Sequence, residues 1–152
     1  MDWSFQEKSI LGSLVITLAA FGYYFLQAFK VFTGASSAAA LSLPFVLIGV
    51  VAVVIVVEIV YQAVLAIRSR PEGADERDRL IEAKATRIAY FVLATGAVVA
   101  AGHALLSVFF TESVEARIVS QPVFTANLII FSFILAEVVG FALQLYYYRR
   151  GV

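Results

Sequence analysis

The sequence predicts an all-α, polytopic membrane protein built from four transmembrane helices, and three observations carry that expectation. Of its 152 residues, 62% are hydrophobic and 14% are charged, far from the roughly 45–50% apolar and 25% charged of soluble domains. The charges leave four long gaps: Ser9 to Phe29, Val31 to Ile67 interrupted by Glu58, Ile88 to Thr111, and Ile118 to Tyr148 interrupted by Glu137. A spanning helix needs about 20 apolar residues, so each gap holds one helix and the second is too short for two.

The first helix is expected over about Ser9 to Phe29. The small residues Ser36 to Ala40 behind it would suit a leader-processing enzyme, but the sequence begins at Met1 with this block in place, so the block is expected to be retained. The second helix is expected from about Ser42 to Ile67, with Ser42 as its cap and Pro44 tolerated in the first turn, where backbone N–H groups lack partners. Pro71 and Gly73 then break the chain. Asp75 reads as the next N-cap, and Glu76 and Asp78 complement the positive end of the helix it starts. Leu80, Ile81, Ala85 and Ile88 continue the helical pattern into the third span, which predicts a helix projecting about three turns beyond the membrane. The fourth helix is expected from near Ser120 and Pro122 to Tyr148.

If the helices alternate in direction, the N-terminus, the loop Arg68 to Arg87 and the C-terminus share one side. That side carries Lys8, Arg68, Arg70, Arg77, Arg79, Lys84, Arg87, Arg149 and Arg150, against Lys30 and Arg117 on the other. An excess of Lys and Arg marks the cytoplasmic side, so both termini are expected there. Trp3, Tyr90 and Tyr146 to Tyr148 fall near the same interface, where amphipathic rings anchor helices. The absence of cysteine excludes disulfides, thiol catalysis and cysteine metal sites. A net charge of +0 gives no reason to expect nucleic acid.

The two halves of this single transmembrane domain, 1–152, match one another. Thr17, Thr33, Ser42 and Pro44 align with Thr95, Thr111, Ser120 and Pro122 at a shift of 78 residues. One residue further on, Glu58 aligns with Glu137 and Arg70 with Arg149. The expectation is a duplicated hairpin, repeat 1 over 1–70 and repeat 2 over 75–152, related by an axis along the membrane normal.

A charged group at the centre of a bilayer costs about 2.5–3.5 kcal/mol on insertion scales, which makes Glu58 and Glu137 candidate functional residues. Their distances from the cytoplasmic helix ends come to about 13 Å and 16 Å, and Thr17 and Thr95 lie near 12 Å. Helical spacing adds Tyr61 and Gln62 to the Glu58 face, and Gly140, Gln144 and Tyr148 to that of Glu137. On helix one the polar stripe is Ser13, Thr17, Ala20, Tyr24 and Gln27; on helix three it is Thr95, Gly96, Val99, Gly102, His103 and Leu106. The carboxyls are either neutral packing groups sharing protons with hydroxyl and amide partners, or a proton, cation or ligand contact. His103, the lone histidine, lies about 24 Å from the cytoplasmic end; hydrogen bonding within a packed face is its bland role, and Asn127 and Glu112 would be poor metal partners for it. Haem ligation by two histidines would need two copies of the chain. No metal or other cofactor is expected. Gly96 with Ala100, and Ala97 with Ala101, are small residues at four-residue spacing that favour close helix contact.

The stretch Asp75, Glu76, Arg77, Asp78, Arg79, Leu80, Ile81, Glu82, Ala83, Lys84, Ala85, leading to Ala89 and Tyr90, resembles a recurrent segment of small bacterial four-helix membrane proteins of unknown function. The resemblance implies a prokaryotic inner-membrane protein and brings no reaction or ligand with it. No phosphate loop, dinucleotide glycine motif or nucleophile elbow is present, so an enzyme is not expected. The expected function is a membrane-embedded binding or interaction module. It would self-associate and meet a protein partner or anionic lipid heads through the Arg68 to Arg87 loop. The rival expectation is a proton or small-cation path through Glu58 and Glu137, with Thr17 and Thr95 as neighbours.

Overall fold

The computed structural model describes residues 3–33, 42–69, 73, 75–110 and 121–151. Four helices account for nearly all of them: α1 (Phe5–Phe32), α2 (Leu43–Arg68), α3 (Glu76–Phe110) and α4 (Gln121–Arg150). Each is long and apolar enough to cross a membrane. The chain is an all-α, multi-pass membrane protein.

The helix ends follow from local chemistry. Ser4 caps α1: its Oγ accepts from the Glu7 N–H at 3.2 Å while Glu7 Oε2 accepts from the Ser4 N–H at 2.9 Å. This reciprocal pair satisfies two otherwise orphaned donors and starts α1 a turn before the charge-free gap. Asp75 and Asp78 do the same for α3, with the Asp78 N–H donating to Asp75 Oδ1 at 2.7 Å and the Asp75 N–H to Asp78 Oδ2 at 3.1 Å. At α2 the expected side-chain cap is corrected. Ser42 holds the N-cap position, yet its backbone is helical (φ −87°, ψ −19°) and its side chain makes no capping bond; an extended N-cap backbone is what turns a hydroxyl towards the first-turn N–H groups. Pro44 lies in the first turn as expected. α4 ends where Gly151 adopts φ 73°, a left-handed conformation that costs a glycine little. The match of Thr33 with Thr111 and Ser42 with Ser120 falls partly outside the described residues, as do Arg70, Pro71 and Ser36 to Ala40.

α1 packs between α2 and α4, and α4 between α1 and α3, so the helices follow the order α2, α1, α4, α3. A two-fold axis relating the hairpins would carry the α1–α4 interface onto an equal α2–α3 interface. Among the described residues α2 and α3 share no comparable contact, so the hairpins do not pack as symmetric copies.

Each interface has its own chemistry. Between α1 and α4, Tyr24 is 1% exposed and its hydroxyl donates to Asn127 Oδ1 at 2.8 Å. Asn127 Nδ2 in turn donates to the Val123 carbonyl at 2.9 Å, so both ends of the buried amide are satisfied. Edge-on rings, Phe25 on Phe131 and Phe32 on Phe124, extend this interface. Between α3 and α4 the contact is made by small residues. Ala85 and Ala100 are 0% exposed, Gly140 meets Ala89, and a Cβ on Gly96 would fall 2.1 Å from Ser132 Oγ. Lipid tails are as apolar as leucine, so close backbone approach is what joins such helices. The expected Gly96 and Ala100 pair lies in this seam, whereas Ala97 and Ala101 face outward.

A polar junction closes the end that carries the termini. Arg149 Nε lies 3.1 Å from Glu7 Oε1 and its guanidinium sits 3.9 Å over the Trp3 ring. The Tyr148 hydroxyl donates to Asp78 Oδ1 at 2.7 Å, and Arg77 Nη2 donates to the Tyr148 carbonyl at 3.3 Å. The starts of α1 and α3 and the end of α4 are thus tied together.

Candidate functional site

Glu58 sits half-buried on α2, facing α1. Ser13 Oγ donates to its Oε1, and Gln62 Nε2, one turn along α2, donates to the same oxygen at 2.9 Å. Gln62 also reaches Ser13 Oγ at 3.3 Å and accepts from Ser9 Oγ at 2.9 Å. Two residues four apart on each helix therefore interlock, which is the pairing that helical geometry offers. Tyr61 belongs to the same face: its hydroxyl donates to the Lys8 carbonyl at 2.6 Å. Its ring fills the space left by Gly12, where a Cβ would fall 2.1 Å from the ring. Ser9, Ser13, Glu58, Tyr61 and Gln62 form one polar clasp between α1 and α2.

Glu137 stands elsewhere. It is exposed on α4, and the residue before it, Ala136, is the one buried against the neighbouring helices. No hydrogen bond or ion pair to Glu137 is found among the described residues. Its carboxyl lines a groove of about 230 Å³ between α3 and α4, walled by Thr86, Tyr90, Phe133, Phe141 and Gln144. The pairings of Glu7 with Arg149 and Tyr24 with Asn127 put Ser13, and with it Glu58, within about one turn of the depth of Glu137. The expected common inward direction is not seen: Glu58 is half-buried against α1 and Glu137 is exposed.

The other candidates distribute between these settings. Gln144 joins Glu137 in the groove. Thr17 is half-buried and Thr95 is exposed; Glu58 is bonded by Ser13 and Gln62 in place of Thr17, and Thr95 lines a second α3–α4 groove with Phe131 and Leu135. His103 Nδ1 lies 3.0 Å from Thr125 Oγ1 and its ring packs on Phe124, which links α3 to α4. The expected α3 stripe is corrected by about one residue's rotation. Gly96 and His103 do turn to α4, but Thr95, Val99 and Leu106 face out, and Ile81, Ala85 and Ala100 complete the seam.

No protein-family model, curated protein or solved structure matches this chain. Its chemistry has to be read from these two carboxyls. The clasp links α1 and α2 through side chains of both helices, with Ser13 and Gln62 converging on Glu58 Oε1, which is the arrangement of a structural joint. The groove has an anion or acid, two further polar side chains and three aromatic rings turned to the outside, which is the arrangement of a contact. Thr86 and Tyr90 come from α3, out of reach of spacing around Glu137, whereas Phe133 and Phe141 lie four residues to either side of Glu137 and were legible on its stripe. Ser9 and Ser13 were within reach, because their four-residue spacing repeats that of Glu58 and Gln62.

Proposed function

We propose that the chain is a membrane-embedded binding module of the bacterial inner membrane, with both termini cytoplasmic and the α3–α4 groove around Glu137 as its contact face. One observation supports this: midway along α4, a helix long and apolar enough to span a membrane, Glu137 is exposed with no partner among the described residues, in a groove that brings Tyr90 and Gln144 beside it. Leaving a carboxyl facing lipid costs several kcal/mol unless something covers it. Glu58, by contrast, is bonded through Oε1 within its own hairpin, which argues against one proton or cation path running through both. The orientation rests on the Lys and Arg bias, and the bacterial setting on the resemblance of the Asp75 to Tyr90 segment. Arg68, Arg79, Lys84 and Arg87 are exposed near the same end, where they meet anionic lipid heads.

A photoreactive residue placed at Leu93, which lines the groove, tests the contact face in native membranes. It should give a discrete adduct that disappears in Glu137→Gln. The same residue at Val98, 72% exposed and away from the groove, should give bulk lipid alone. Identical products at both positions would remove the groove as a contact face, and a glutamate-dependent cation flux in proteoliposomes would replace the module with a transporter.

A further inference from the structure

The groove has a chemistry specific enough to name what enters it, and this step rests on the contact face just described. Glu137 is a carboxyl set among the rings of Tyr90, Phe133 and Phe141, with Gln144 alongside. A carboxyl in a low-dielectric setting is either neutral or paired with a countercharge, and aromatic faces attract cations within about 6 Å by their quadrupole. The chain itself has no such countercharge to offer at this depth. All 11 of its Lys and Arg residues fall outside the runs Ile88 to Glu115 and Ile118 to Tyr148 that hold the membrane parts of α3 and α4, and α1 and α2 carry theirs at or near their ends. A second copy meeting this face through its own groove would bring another carboxyl to Glu137. A cation that pairs with Glu137 therefore arrives on something that dissolves in the bilayer.

We infer that the groove binds a small hydrophobic organic cation: an ammonium or similar monocation carrying one ring or short apolar chain, its charge against Glu137 and its apolar part against Tyr90, Phe133 and Phe141. The volume of about 230 Å³ suits a single ring with a substituted ammonium. Openness to the membrane gives such a ligand its entry, because an amphiphilic cation concentrates at the bilayer and reaches α3 and α4 laterally. Gln144, and Thr86 at the mouth nearer the helix end, supply polar contacts along that approach.

The test uses the full chain in lipid nanodiscs and the probe benzyltrimethylammonium, whose charge is permanent, against neopentylbenzene, the same shape with carbon in place of nitrogen. Calorimetry with empty nanodiscs subtracted should show saturable binding of the cation and none of the neutral isostere. Glu137→Gln should weaken cation binding by about tenfold or more, Tyr90→Leu by a few-fold, and Glu58→Gln should leave it unchanged, because Glu58 lies in the α1–α2 clasp. Circular dichroism checks that each variant is folded. Absence of saturable binding, equal binding of the isostere, or equal binding to Glu137→Gln overturns the inference. If the adduct at Leu93 still depends on Glu137 while the cation fails, the contact face stands and the ligand class falls. A covalent dimer at Leu93 would assign the groove to a second copy of the chain and equally overturn the cation.

Discussion

Tyr24 and Asn127 form the buried side-chain pair that joins α1 to α4. Water cannot replace a lost partner at that position, so removing the Tyr24 hydroxyl leaves Asn127 Oδ1 without the donor it has at 2.8 Å. Measured hydrogen bonds between membrane helices average about 0.6 kcal/mol and reach about 1.7. Tyr24→Phe keeps the ring that packs in the Tyr24, Ala28 and Leu43 cluster, and should lower unfolding stability in mixed micelles by about 1 kcal/mol. A loss of less than a few tenths would mean that the Asn127 amide finds another donor. Neither residue stood out as a pair in the sequence. Tyr24 was one member of a stripe and Asn127 a poor metal ligand, and only the α1–α4 neighbourhood joins them.

Helix boundaries were legible to within a turn, because the charge-free runs and the Asp75 cap mark them directly. The faces were legible only where polarity marked them. Before its last turn α2 is apolar apart from Glu58, Tyr61 and Gln62, so those three had to face α1, and they do. α3 presents alanine, glycine and valine on several sides, and lipid gives no polarity contrast against which to orient it, so the expected stripe was turned from the observed seam. Glu137 fell to the same ambiguity: spacing placed it on a stripe with Gly140, and packing buried Ala136 and Gly140 while leaving Glu137 at the rim. The helix contacts give a sharp contrast between glycines. Gly96→Val puts a side chain 2.1 Å from Ser132 Oγ and should separate α3 from α4, costing about 2 kcal/mol or more. Gly22, with nothing within 4 Å of an added Cβ, should accept Ala with unchanged or slightly higher stability. Equal melting shifts for the two variants would refute the seam.

At the scale of the molecule, the row α2, α1, α4, α3 holds one carboxyl in a joint and leaves the other exposed in a groove. The sequence aligns Thr, Pro and Glu positions of the two halves, but the packing of the hairpins is not symmetric. The residues that clasp Glu58 are Ser13 and Gln62, and the positions aligned with them are Phe91 and Phe141, which cannot repeat the clasp. The orientation has a direct check: cysteines introduced at Ser37 or Ser113 should react with an impermeant thiol reagent from outside the cell, and one at Ser69 should react only after the membrane is opened. The inverted pattern would reverse the cytoplasmic assignment.

The division of labour between the two carboxyls is tested most directly by measuring unfolding stability in bicelles for Glu58→Leu and Glu137→Leu side by side. Glu58→Leu takes the shared acceptor from Ser13 and Gln62 and should destabilise the chain by about 1–2 kcal/mol. Glu137→Leu removes an exposed polar group from the lipid-facing surface and should leave stability unchanged or raise it. The opposite result, a tolerant Glu58 and a destabilising Glu137, would contradict the account.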